Sequence, residues 1–440
     1  MTCSKHKILS TILATVMLFS CLSVSGCSEE EEEVIPADYG TYGADFARTF
    51  ASLFPYRVPF SDNEIEAGEY IKAAAEDLGY EVTVQEVTYG VLRKTQNYLI
   101  TIPGDGFYMA DENGDYQLTH RTAVIGAHYD SFFSADNTPA VVEASTDEEG
   151  EETTTAETEE GEVPTGVTTY GYDGISDNAS GVACVLTMLS QAKEYSDMGF
   201  DLVFAFFGAG NSDFAGANYY LNSLTDEERD AIEVMYCVDS IYAGDKVYAH
   251  SGWASLKSGQ KYEMRRQLYK TYDVCYKNTL NSNYGFDMYF NETDIKTDVN
   301  GDGTEDYYAE VSLNTSDWVP FDKAGIPVVY VDSFDYNFDD LEDMKDTKNL
   351  NLQEFDGMVR NTFLDASKLL DTVYMSEDDE VTDDILQTRI NCVAFVILET
   401  LNTGSSYGMD EDEYNEFLEN QKLGEEVAES IVEASQFDAN

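Results

Sequence analysis

The residues best suited to chemistry in this sequence fall just after predicted strands: His128 and Asp130 in a His-x-Asp pattern, Asp177 in Gly174-Ile-Ser-Asp-Asn-Ala-Ser-Gly-Val182, and Asp239. An imidazole combined with several carboxylates suits a zinc ion, and a carboxylate near a ligating imidazole commonly orients its ring. Each residue alone has a plain structural alternative. His128 could be a polar residue at a sheet edge, Asp177 the N-cap of the following helix, and Asp239 a turn residue. Their order on successive strands favours a shared site. A separate cation signal lies in Asp298-Val-Asn-Gly-Asp-Gly-Thr-Glu-Asp306, where Asp298, Asn300, Asp302, Thr304 and Asp306 alternate and Gly303 permits a sharp turn. This resembles a calcium loop. Its twelfth position is Ala309, so a bidentate carboxylate is missing or is Glu310. The alternative is an acidic hairpin turn, the reading also given to Asp111–Asp115.

The elements that must position these residues follow from hydrophobic periodicity. Ile65–Leu78 has helical spacing and is followed by Gly79. Strands are expected at Tyr80–Tyr89, Asn97–Ile102, Ala123–Ala127, Leu202–Phe207, Val234–Val238 and Ile326–Val331. Helices are expected at Ala179–Tyr195, Ala215–Leu224 and Leu352–Val373. Short, wholly apolar strands alternating with helices predict an α/β fold whose mostly parallel sheet is covered on both faces. Polar residues just past the strand ends then sit where open α/β sheets bind ligands.

Two acidic stretches interrupt this pattern. Residues 134–170 hold eleven Asp or Glu and no Lys or Arg, which predicts a disordered insertion within a domain spanning 39–375. Residues 376–440 are again acidic, yet Ile385–Leu401 keeps a helical apolar face, so this segment either docks on the domain or forms a helical appendage. A net charge of −60 argues against nucleic acid as a partner, because phosphate binding needs clustered Lys and Arg. Residues 1–26 read as a signal segment: Lys5 and Lys7 precede an apolar run, and Val24-Ser25-Gly26-Cys27 resembles a lipobox. Cleavage there would leave Cys27 to carry a lipid. The acidic tether 27–38 would then hold the domain off an extracytoplasmic membrane surface. Cys184, Cys237, Cys275 and Cys392 show no CxxC spacing, and their pairing stays open.

Several blocks, in order, are similar to those of the zinc-dependent exopeptidases, the family of bacterial leucyl aminopeptidases, glutaminyl cyclases and the transferrin-receptor ectodomain. They include Gly126-Ala-His-Tyr-Asp-Ser131, Asp177-Asn-Ala-Ser-Gly-Val182, Phe206-Phe-Gly-Ala209, Ser316-Asp-Trp-Val-Pro-Phe321 and Asp346-Thr347. The resemblance covers Ala44 to Thr372 and implies a three-layer αβα fold with a mostly parallel mixed sheet. It also implies two zinc ions bridged by Asp177, with His128 and Asp239 on one of them and Asp130 behind His128. Where the family has two glutamates, a general base and then a ligand, this sequence has Gly210 and Asn211. The family's last ligand, a histidine, is Glu342, and Trp318 replaces the histidine of the Ser-Asp-His block. Asp213 is the nearest acidic residue that could compensate.

What this implies is a metallo-exopeptidase acting on N-terminal peptide bonds, with its general base missing and at most one tightly held zinc ion. Asn211 and Glu342 would be the ligands of any second half-site. The competing implication is an inactive member that binds peptides or other small extracellular ligands. The surrounding blocks look intact, so Gly210→Glu combined with Asn211→Glu and Glu342→His is expected to restore part of the activity.

Overall fold

A computed structural model describes residues 34–132, 171–195, 197–374 and 384–423. The expected signal segment, Cys27, most of the expected tether, the acidic stretch 134–170 and the residues beyond 423 lie outside them.

The main sheet has eight strands: β1 (Thr83–Tyr89), β2 (Arg93–Ile102), β3 (Thr122–His128), β4 (Asp201–Phe207), β5 (Ile232–Asp239), β6 (Lys246–His250), β7 (Met288–Tyr289) and β8 (Val328–Phe334). Their spatial order is β1-β2-β4-β3-β5-β8-β6-β7. The central four, β4, β3, β5 and β8, run parallel, and β1, β2 and β6 pair antiparallel to their inner neighbours. The inner stretches of these central strands are apolar because helices cover both of their faces. Ile125, Phe204 and Tyr236 point into one core with helices α1 (Tyr42–Leu53), α2 (Asp62–Asp77) and α3 (Gly181–Gln191). Their sequence neighbours Val124, Ala205 and Met235 point into the other, against α4 (Ala215–Ser223) and α5 (Trp318–Lys323). The result is three αβα layers. Parallel register brings the C-terminal ends of the central strands to one edge, with His128 opposite Phe207 and Asp332 opposite Asp239.

One departure from the sequence reading affects the site. The expected long helix Leu352–Val373 is a 3₁₀ turn at Leu350–Leu352, then irregular backbone, then a short helix α6 (Ser367–Tyr374). Positive φ at Asp356, Gly357 and Asn361 breaks the helix. The Asp346 carboxylate instead accepts the N–H groups of Val359 and Arg360 at 2.7 and 2.9 Å. Of the two alternatives for the C-terminal segment, the structure has the docked one. Helix α7 (Ile385–Asn402) is part of the main core, with Ile390, Val393 and Ile397 fully buried. Asp384 caps it through the N–H groups of Leu386 and Gln387. It packs so closely on α1 that a Cβ at Gly43 would lie 2.4 Å from Ile390 Cγ2. Ile390→Ala is therefore expected to cost roughly 2–5 kcal/mol, measured by urea unfolding.

The four described cysteines are buried free thiols.

Candidate metal centre

Three elements bring the predicted residues together. His128 is the last residue of β3, Asp239 the last of β5, and Asp177 lies in the turn leading into α3. The backbone of Asp177 is extended, not helical, and it is Asn178 that takes the capping role, accepting the N–H of Gly181 at 3.0 Å. Asn178 also binds β5 through Val238 and Ser240, which fixes the turn against Asp239.

His128, Asp177 and Asp239 are all buried, and one ligand atom from each lies within 4.8 Å of the others. His128 Nε2 is 3.3 Å from Asp177 Oδ1 and 3.6 Å from Asp239 Oδ1. Asp177 Oδ1 is buried and accepts no hydrogen bond. Such an acceptor costs energy unless something positive faces it. The donor set and this orphaned oxygen fit a zinc ion with three protein ligands and an open position. Burial alone would lower the His128 pKa, but Asp130, Asp177 and Asp239 together hold it well above the ordinary imidazole value. Cation binding at this ring is therefore linked to proton release.

Asp130 stands behind the imidazole, with Oδ1 3.3 Å from His128 Nδ1. The same carboxylate accepts the N–H of Gly210 at 2.6 Å, and the N–H and Nδ2–H of Asn211, both at 3.0 Å. Glu64 accepts the N–H of Ala209 at 2.6 Å. All three backbone donors of 209–211 are thus consumed, and none is left to stabilise a developing oxyanion. The backbone here also runs against the imidazole: a Cβ on Gly210 would lie 2.4 Å from His128 Cβ and 2.6 Å from Cγ. The packing at position 210 therefore opposes the expected rescue by Gly210→Glu with Asn211→Glu and Glu342→His.

The remaining candidates lie apart from the cluster. Asn211 turns its amide to Asp130, so its side chain buttresses the loop. Glu342 is exposed on the 3₁₀ turn Leu341–Asp343. Asp213 is exposed and accepts the Tyr89 hydroxyl. In the Asp298–Asp306 loop, Asp298 accepts the N–H groups of Asp302 and Gly303, Asn300 that of Asp302, and Asp302 that of Thr304. Asp306 pairs with Thr297 in a two-stranded ladder. The loop is closed by its own backbone donors, which is the hairpin-turn alternative, and the calcium reading gains no support.

Four residues that complete the site had no role in the sequence reading. Asp365 accepts the N–H groups of Ser176 and Asp177 at 2.7 and 2.9 Å and so sets the Asp177 turn. The buried Arg57 donates to the carbonyls of Phe54, Tyr129, Asp173 and Gly174, tying together three segments around the site. Asp317 is wholly buried, and neither of its oxygens has a hydrogen-bond partner. Burial pushes its pKa up to about 7, with Asp130, Asp239 and Asp177 adding to the rise and His128 opposing it. Arg360 lies beside Asp239, with Nη1 3.9 Å from Oδ2. Asp356-Gly357, a turn dipeptide, was the signal that could have exposed the last of these by breaking the supposed helix.

Comparison with known proteins gives one family match: the profile of Peptidase family M28 aligns with residues 110–364. No curated protein matches the chain. Among solved structures, a glutaminyl cyclase from an Acidobacteriales bacterium aligns with TM-score 0.50 at 14% identity, over 83% of this chain and 95% of that one. A Zn-dependent exopeptidase from Parabacteroides distasonis aligns with TM-score 0.48 at 14% identity, over 81% and 98%. A leucine aminopeptidase precursor from Bacteroides thetaiotaomicron gives 0.46 at 14% identity, over 81% and 96%. At 14% identity the first of these speaks to the fold, the three layers described above.

Proposed function

Since the chain belongs to peptidase family M28, whose profile covers more than half of its length, we propose that it is a lipid-anchored extracytoplasmic member that retains a one-zinc centre, has lost the general base, and binds peptides or similar small ligands with little hydrolysis. The observation that carries this reading is the seat of Gly210 against His128: the loop that would bear a base there has no room for a side chain and no free backbone donor.

His128, Asp177 and Asp239 would hold the ion, which would supply Lewis-acid polarisation of a bound carbonyl. Asp130 fixes the imidazole, and Asp365 fixes the Asp177 turn. The surplus of buried carboxylates, Asp317 among them, suits the cationic amino end of a peptide. A second reading, slow hydrolysis with Asp317 as the acid–base group, is favoured by its orphaned carboxyl and its pKa of about 7.

Metal analysis of the purified soluble domain tests the proposal, paired with turnover of amino-acid amides and calorimetry with short peptides. One zinc ion per chain is expected, lost in His128→Ala, together with peptide binding. Turnover should lie roughly 10²–10⁴-fold below that of family members with a base. Two zinc ions at full occupancy would sink the one-metal reading. Robust turnover abolished by Asp317→Asn would replace the binding role with the second reading. The anchor is tested separately: Cys27→Ala should abolish lipid attachment, read by mass spectrometry of membrane fractions, and a wild-type chain without lipid on residue 27 would refute it.

A further inference from the structure

We infer that the tip of the β1–β2 hairpin, Val91 and Leu92, is an apolar lip beside the metal centre that binds a side chain several residues in from the amino end of a bound peptide.

The tip is built against the usual chemistry of a turn. Strands β1 and β2 are joined by three residues, Gly90-Val91-Leu92, closed by the pair Tyr89 and Arg93. Gly90 takes the left-handed conformation that the turn needs, with φ 62°. The positions after it would ordinarily carry small polar residues. Here they are branched aliphatics, 92% and 90% exposed. They add no burial to the fold, and their contact with water is unfavourable until something covers them.

The hairpin carries these side chains past the edge that holds the metal centre. β2 runs antiparallel to β4, so its first residues lie beyond the C-terminal end of β4. Thr95 is level with Gly208, one residue past that end, because a Cβ on Gly208 would lie 2.2 Å from Thr95 Oγ1. Leu92 is three residues further out, roughly 10 Å at a rise of about 3.3 Å per residue. Only β4 separates β2 from β3, the strand that ends in His128. The sideways displacement is therefore two strand spacings, roughly 10 Å. The direct path is about 14 Å, which an extended peptide covers in about four residues.

The hairpin is also fixed to the loop that lines the centre. Tyr89 donates its hydroxyl to Asp213, on the loop whose Gly210 packs against His128. The Tyr89 ring stacks on Phe60 with centroids 5.4 Å apart, and the Arg93 guanidinium lies 5.6 Å from the same Phe60 ring. Phe60 is tied back to that loop through Glu64, which accepts the N–H groups of Phe60 and Ala209, both at 2.6 Å. Lip and centre thus keep one geometry, and a peptide spanning them meets two preorganised contacts.

The surroundings favour a peptide over a membrane as the occupant. The two cations nearest the tip face the protein's own groups: Arg93 the Phe60 ring, and Lys94 the Glu86 carboxylate at 3.9 Å. A chain of net charge −60 is repelled by an anionic bilayer surface. The same charge, concentrated as buried carboxylates at the centre, suits the amino end of a peptide whose apolar side chain then reaches the lip.

This inference rests on the peptide-binding reading of the site, and the test separates the two. Calorimetry of the purified protein uses hexapeptides of glycine and serine that carry one leucine, placed in turn at positions two to six. The wild type should bind best with leucine at the fourth or fifth position, about tenfold more tightly than the leucine-free peptide. Val91→Ser combined with Leu92→Ser should erase that preference. It should leave binding of the leucine-free peptide, zinc content and melting temperature unchanged, because both side chains stand in solvent. Wild-type binding without a positional preference, or a preference that survives in the double variant, overturns the lip and leaves peptide binding standing. Failure to bind any peptide of the set defeats the peptide-binding reading and the lip with it. Co-sedimentation of the unlipidated chain 28–440 with phosphatidylglycerol vesicles, lost in the double variant, would make the tip a membrane contact and overturn the inference.

Discussion

Gly210→Ala should destabilise the protein by roughly 1–3 kcal/mol, the usual cost of overpacking a filled site, and should strip it of zinc. The added Cβ would lie 2.4 Å from His128 Cβ, 2.6 Å from Cγ and 3.2 Å from Cδ2. The ring cannot step aside. Asp130 holds its Nδ1 edge, and Asp177 and Asp239 face Nε2. Nor can the loop retreat cheaply, because withdrawing Gly210 breaks the 2.6 Å bond to a buried carboxylate. A larger residue should do more damage, so Gly210→Glu combined with Asn211→Glu and Glu342→His should give a less stable protein and not a revived enzyme. Urea unfolding and zinc content of the alanine variant decide the matter. Wild-type stability with wild-type zinc would mean that the loop moves freely.

Asp317→Asn should stabilise the zinc-free protein at alkaline pH and leave it nearly unchanged at acid pH. Burial raises the Asp317 pKa from the ordinary 3.8 to about 7. Because the folded value is the higher one, the folded protein keeps a proton that the unfolded chain releases. The stability conferred by that proton is complete below about pH 4 and is lost as pH rises through about 7. A shift of about three units corresponds to at most about 4 kcal/mol at pH 8.5. Asparagine has the same shape without the charge, so the gap between variant and wild type should open across that window. Thermal melts in chelator at pH 4.5, 6.5 and 8.5 measure it. With zinc added the order should reverse, since the carboxylate then faces a cation. A gap that does not change with pH would show that Asp317 is already paired in solution.

The strands and the three clustered residues were legible in the sequence for one physical reason. Wholly apolar strands in a covered parallel sheet leave little choice about where polar residues go, so His128, Asp177 and Asp239 had to gather at one edge. Charge and distance were less legible. The spacing of Leu352–Val373 satisfies a helix, and that pattern outweighed the turn signal of Asp356-Gly357, which hid Asp365 and Arg360. Gly210 reads in sequence as a missing side chain on an unchanged backbone, because a residue letter does not report how near the next ring lies. The alternating oxygens of Asp298–Asp306 suit an ion and a self-closed turn equally well, and only the direction of the backbone N–H groups tells the two apart.

Helix α7 has a consequence for the order in which the protein is made. It lies against α1 and α3, both encoded more than 190 residues earlier, and Ile390 and Val393 belong to the same core as Phe50 and Val185. A chain emerging from the ribosome therefore carries an unclosed apolar face on its first helices until residue 402 has been synthesised. Nearly the whole domain must be translated before it can reach its stable state, and a stop codon placed just before Asp384 should yield an aggregating product even though every residue of the candidate metal centre is present.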